Sequence, residues 1–344
     1  TIGLCQEATA VQLAEPFRQA YQGADVTGDH VIALWTFDDP ANLTDAGGKG
    51  FDMAVKGAQF TAEGRFGGAL ESFRGHPDED VKHGVEVNHD PALCPKGAFT
   101  IEMWVKPKPE LVDYPDSFLI DKKYVAHTDY QMVLGAADAK TQTRRLYVNL
   151  GFGADSARWN SDPAVYEPGT WYHVAFTYDG AGDGRFYRDG VALGGSSNPE
   201  RKAVAPGTHK LTIGDRIGSL YHGFPGFIDQ VRICSGVLEF RPASFAFISA
   251  RKAYVRMEGA PPLQFEVTNK SQDALSGAVC RFATAETRPV TLTLPDIASG
   301  TTHVVEYPFD LSLRPDEYQV HARIEIPGDP PYTSEERFTV HIVA

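Results

Sequence analysis

WYHVAFTYDGAGDGRFYRDGVAL, residues 171–193, alternates apolar and polar side chains, breaks at a Gly/Asp cluster and resumes. Tyr172, Val174, Phe176 and Tyr178 fall on one face of an extended chain, with His173, Thr177 and Asp179 on the other, because successive strand side chains point in opposite directions. AGDG (181–184) reverses the chain and Phe186 rejoins the apolar side. RDG (188–190) is a second reversal, since Asp-Gly tolerates the positive φ of a type I′ hairpin turn. Working outward, the same period-two grammar runs from HVIALWTFDD (30–39) to about residue 247, through AFTIEMWVKP (98–107), RLYVNLGF (145–152), KLTIGDR (210–216) and GFIDQVRIC (226–234). So many antiparallel strands need two stacked sheets or a closed barrel to bury their apolar faces.

The bulk properties agree. The 344-residue chain is long enough for two cores. Its 33 Gly, 23 Pro, 14 Tyr and 20 Phe favour short strands joined by turns. A formal net charge of −13 argues against nucleic acid or anionic membrane as partners and leaves neutral, cationic and hydroxyl-rich ligands open. No run of about 18 apolar residues is present to span a bilayer. Cys5, Cys94, Cys234 and Cys280 are scattered with no CxxC pair, which excludes zinc-site spacing and allows disulfides or buried thiols. The opening TIGLCQEATA lacks an initiator Met, as in a mature product after signal cleavage or a trimmed chain. The expected location is therefore secreted, periplasmic or at the cell surface.

Residues 1–29 read as a lead-in with a short helix over 8–22, bent at Pro16. Residues 30–247 form the first β domain, 248–262 (ISARKAYVRMEGAPP) a connector, and 263–344 a smaller immunoglobulin-like sandwich of strands spaced about a dozen residues apart. The fold class expected is thus all-β, with two sandwiches and one short helix.

In the first domain the ordered pieces ALWTFDD (33–39), DAGGKGFDMAVKGAQF (45–60), GRFGGALESF (64–73), AFTIEMWVKP, WYHVAFTYDG, RFYRDGVAL, LTIGDR and GFPGFIDQVRI (223–233) resemble the laminin-G-like, concanavalin-A-like jelly rolls. The resemblance spans about three-fifths of the chain. It implies a jelly-roll fold, which hosts lectins, enzyme accessory modules, hydrolases and adhesion domains alike. It also implies a structural Ca²⁺ at the sheet edge, held by early and late acids; the matching positions are Asp38 or Asp39, Asp45 and Asp229. Carboxylate and carbonyl oxygens in a Gly-containing turn suit that ion. The competing reading is that Asp45 only makes a turn and Asp229 only caps a strand edge. The C-terminal part resembles the sandwich spacers beside catalytic domains in secreted bacterial polysaccharide-degrading enzymes.

No motif of nucleophilic, metallopeptidase or phosphate-binding chemistry occurs. The clustered acids E-x-D-x-x-E of jelly-roll glucanases are absent too: Glu102 in FTIEMWV has no carboxylate two residues away. Sugars need aromatic faces and fixed polar groups, and the least regular segment, 108–168, offers His127, Tyr130, Arg158, Trp159 and Tyr166, with Tyr221 and His222 on a later loop. Trp159 stands out among polar neighbours. The alternative is that these rings cover an end of the sandwich. RRLY (144–147) is a small basic spot that would suit an acidic sugar or form a solvated strand end. The expected function is a non-catalytic glycan- or polysaccharide-recognising accessory module of a secreted, multidomain glycan-processing protein, its chain continuing past ERFTVHIVA (336–344) into further domains. The alternatives are a glycoside hydrolase or lyase with acids assembled on the concave face, and a cell-envelope adhesion protein.

Overall fold

The computed structural model describes residues 19–72, 84–113, 115–218, 223–271, 273–328 and 331–344. The chain divides into two compact units, one formed up to Phe186 together with Gly194–Leu238, the other by Tyr187–Leu193 with Glu239–Ala344. The lead-in helix expected over 8–22 lies mostly outside the described residues; a single helical turn, α1 (Ala24–Thr27), precedes the strands.

Fifteen strands follow among the described residues: β1 (Val31–Trp35), β2 (Met53–Lys56), β3 (Gln59–Thr61), β4 (Ala69–Glu71), β5 (Gly84–Val87), β6 (Phe99–Pro107), β7 (Ser117–Asp121), β8 (Tyr130–Leu134), β9 (Leu146–Gly151), β10 (Ser156–Asn160), β11 (Tyr172–Tyr178), β12 (Asp183–Arg188), β13 (Val191–Ser197), β14 (Leu211–Ile213) and β15 (Gly226–Ser235). One sheet runs β13-β12-β11-β6-β15-β4-β3, with β1 also pairing β15; the other runs β10-β9-β8-β7-β14-β5-β2. Inward side chains from the two sheets meet. Phe99 of β6 lies 5.9 Å from Tyr130 of β8, and Tyr178 of β11 lies 5.5 Å from Trp159 of β10. This is the all-β jelly-roll sandwich. The RDG reversal is as expected, with Asp189 at φ 51° and Gly190 at φ 80°.

The second unit carries β16 (Ala243–Phe247), β17 (Ala253–Val255), β18 (Leu263–Asn269), β19 (Val279–Ala283), β20 (Val290–Thr293), β21 (Thr302–Tyr307), β22 (Asp316–Ile326) and β23 (Tyr332–Val343). They form a three-stranded sheet, β16-β18-β21, and a five-stranded sheet, β17-β23-β22-β19-β20. Phe265 packs on Phe282 at 4.9 Å, and Phe282 stacks on Tyr307 at 4.5 Å, so one aromatic core ties both sheets. β16, placed by the sequence at the end of the first domain, pairs with β18, and the stretch read as a connector supplies β17, parallel to β23. Cys94, Cys234 and Cys280 are buried free thiols, and Cys5 lies outside the described residues.

Candidate binding surface on the second sheet

Three of the aromatic residues singled out for sugar stacking turn inward. Trp159 is 1% exposed; its ring packs against Tyr178 and Phe152, and its Nε1 donates to the Gly182 carbonyl at 3.3 Å. A Cβ on Gly184 would stand 2.5 Å from that indole, so only glycine fits there. Tyr130 is fully buried and donates its hydroxyl to Leu93 O at 3.1 Å, while Tyr166 is buried edge-on to Tyr172. None offers a face to a ligand. The physical reason is the strand SARWN: β10 pairs with β9, which sends Trp159 into the core and the flanking Arg158 and Asn160 outward. Polar neighbours around Trp159 are the solvent side of an alternating strand. His127 is exposed on a loop, with Nδ1 2.9 Å from Ser156 Oγ. Tyr221 and His222 lie outside the described residues.

Arg158 does reach an open feature. A groove of about 600 Å³ runs over the outer side of β9 and β10 and the β8–β9 loop, lined among others by Asp116, Asp138, Arg145, Tyr147, Arg158 and Asn160. Antiparallel register builds its floor: Arg158 lies opposite Asn149, and Asn160 opposite Tyr147. The Arg158 guanidinium sits 3.9 Å above the Tyr147 ring and donates through Nε to Asn149 Oδ1 at 3.0 Å. Tyr147 donates to Asp116 Oδ2 at 2.7 Å; burial, then this carboxylate, push its phenol well above the usual range. Asn149 is held in turn. With the Gln131 amide oriented to satisfy its neighbours, its oxygen accepts from Asn149 Nδ2 at 2.6 Å and its nitrogen donates to Asp121 Oδ1 at 3.2 Å. Buried Asp121 also accepts the amides of Lys123, Tyr124 and Ile217. A chain of hydrogen bonds therefore runs from an exposed cation to a buried, amide-anchored carboxylate.

The outer side of the first sheet carries two acids that are covered, Glu102 and Asp229. Glu102 is fully buried, and it accepts from Tyr21 Oη at 2.6 Å and Arg232 Nε at 2.7 Å, with His173 Nε2 at 2.8 Å. Burial works to raise its carboxyl, yet Arg232, His173 and Tyr21 outweigh that and hold it at about 2. On the next strand Asp229 is equally buried but poorly served. Its Oδ2 accepts the Arg65 and Phe66 amides, and Oδ1 has no hydrogen-bond partner. Burial and the charge of Asp38, against those amide bonds, push it up to about 7. Asp229 and Arg232 share a face because a bulge with Gln230 at φ 50° absorbs one residue between them.

These contacts test the expected calcium ligands. Asp45 is a turn-maker: its Oδ1 accepts the amides of Leu34 and Gly47, and its Oδ2 accepts that of Lys49. Asp38 accepts the Gly68 amide at 3.0 Å and raises the Asp229 carboxyl through its charge. Asp229 Oδ1 has no hydrogen-bond partner, and among the described residues no three His, Cys, Asp or Glu gather where they could hold a metal ion.

No curated protein matches the chain. Among solved structures, the chain is similar to domain 4 of AbnA, a GH43 extracellular arabinanase from Geobacillus stearothermophilus in complex with arabinotriose, at 20% identity and TM-score 0.45 over 61% of this chain and 94% of that one. It is also similar to the binding domain of Paraclostridial Mosquitocidal Protein 1 (14% identity, TM-score 0.47, 85% of this chain and 75% of that one). A third is the binding domain of Botulinum neurotoxin DC in complex with rat synaptotagmin II (12% identity, TM-score 0.48, 91% and 74%). Residues 79–240 match the family model described as the concanavalin A-like lectin/glucanases superfamily, and the residues that line the groove fall within that matched stretch.

Proposed function

We propose that this chain is a non-catalytic carbohydrate-recognition module whose binding site is the groove over β9 and β10. The observation that carries it is an open, polar groove on a lectin-type sheet, with an exposed arginine held in place by Tyr147 and Asn149. Fixed polar groups in a concave surface are what saccharide hydroxyls require. A catalytic reading has less support for Glu102 and Asp229, two acids on the outer side of the first sheet, because both are fully buried. The wider reading is an accessory part of a secreted or cell-surface glycan-processing protein, with the second unit as an immunoglobulin-like spacer. A structural Ca²⁺ on Asp38 and Asp229 belongs to the same reading; in it the ion neutralises a buried acid pair and takes no part in ligand contact. The test is an immobilised-glycan array probed with wild type and Arg158→Ala, with and without chelator. Binding lost in the variant and kept by the chelated wild type supports the groove; binding that survives Arg158→Ala unchanged removes it.

A further inference from the structure

The geometry points to a narrower ligand class for this groove: saccharides bearing an anionic oxygen group, a uronate carboxylate or a sulfate ester, gripped by Arg158 and flanked by Arg145. The inference rests on the glycan-binding reading and is carried by the balance of donors and acceptors. Several acceptors along the groove already hold protein donors, while among the described residues Asp138 Oδ2 and the Asn160 side-chain oxygen hold none. Asp116 accepts the Tyr147 hydroxyl and the Ala136 amide. Asp138 Oδ1 accepts the amides of Lys140 and Thr141 and the Thr141 hydroxyl. Asn149 Oδ1 accepts Arg158 Nε.

The donors are in surplus. Arg158 uses only Nε on the protein; among the described residues no acceptor is bonded to Nη1 or Nη2, and the side chain is exposed. Arg145, also exposed, places Nη1 on the Ser161 carbonyl at 2.5 Å, and among the described residues its other nitrogens bond no acceptor. A donor-rich groove is best answered by a group that only accepts, and a planar guanidinium matches a carboxylate or sulfate through two parallel hydrogen bonds. Arg158 is also preorganised, stacked on Tyr147 and anchored through Asn149 and Gln131 to Asp121. The formal net charge of −13 gives no long-range attraction for an anion. Selectivity must then come from the fork at contact, and charge alone will not reproduce it.

Titration calorimetry of the whole chain with three oligosaccharide probes at low salt tests this: an oligogalacturonate, a heparin-derived oligosaccharide and a neutral oligogalactan. The uronate and sulfate arms separate the two sources of the anionic group. The expected result is that at least one anionic probe binds about tenfold or more tighter than the neutral one, and that Arg158→Gln removes this preference, weakening the anionic probe by about tenfold more than the neutral one. Arg158→Lys, which keeps the charge without the fork, recovers only a minor part of it. Arg185→Gln, an exposed arginine of β12 paired with Asp183, is the control and leaves all three affinities unchanged. Equal affinity for neutral and anionic probes, or an anionic preference that survives Arg158→Gln, overturns this inference and leaves the glycan-binding reading standing. Binding to none of the three overturns the inference; if the glycan array is also blank, the broader reading falls with it.

Discussion

The two sheets of the first unit carry similar chemistry on their outer sides and use it in opposite ways. On the first sheet, Glu102, His173, Arg232 and Asp229 are shut away from water, under Tyr21 and Asp25 and the loop bearing Arg65 and Phe66. On the second, Arg145, Arg158 and Asn160 meet solvent along a groove. A buried charge must be fully partnered or it costs the fold free energy, whereas an exposed one can keep donors for a ligand. Within the covered region the contrast repeats on adjacent strands: Glu102 has three side-chain partners and stays ionised, while Asp229 has an orphaned oxygen and a carboxyl near 7.

The largest expected effects come from what is buried. Trp159→Ala empties the space between the sheets and should lower stability by about 3–5 kcal/mol in chemical denaturation, together with any binding, because the fold itself is weakened. Were stability unchanged, Trp159 would not be the core residue described. Glu102→Ala strands Arg232 in the sheet and should cost about 3–5 kcal/mol. The Glu102 contribution is present above about pH 4.5 and is lost as pH falls toward 2, because its folded-state carboxyl lies below its ordinary value.

Asp229 has the opposite sign. Its carboxyl is raised, so the metal-free fold is favoured below about pH 4, and that advantage disappears as pH climbs to about 7. Asp229→Asn should therefore stabilise the chelated protein at pH 8, by up to about 4 kcal/mol, and flatten its pH profile between 4 and 7. Added Ca²⁺ should raise the wild-type melting temperature and leave that of Asp229→Asn unmoved; equal responses would remove the proposed ion from this pair. The smallest structural effect belongs to the groove. Arg158→Ala should change stability by less than about 0.5 kcal/mol while weakening glycan binding about tenfold, a separation that a merely structural residue would not show.

Part of this contrast is legible in the sequence. The alternation of FTIEMWV and WYHVAFTY fixes β6 and β11 and puts Glu102 and His173 on the same side as Trp104 once the strands pair. SARWN alternates as well, and read at period two it sends Trp159 inward. Two other strands in the segment 108–168, SFLID and YQMVL, hide because all ten residues are buried. Phe118 and Val133 of their outer side pack under Tyr147, which erases the polar half of the pattern. The bulge at Gln230 is invisible to periodicity, so Asp229 and Arg232 read as facing opposite ways. The groove draws on Asp116, Asp138, Tyr147 and Arg158, which only strand pairing and the loops it positions bring together.

The division of labour between the two outer faces is tested most directly by amide chemical-shift mapping on titration with the oligosaccharide that binds best on the array. The account predicts that perturbations centre on Asn149, Arg158, Asn160 and the loop around Asp138, with residues near Glu102 and Asp229 silent. Shifts centred on the 64–68 loop and β15, or on the second unit, would contradict it.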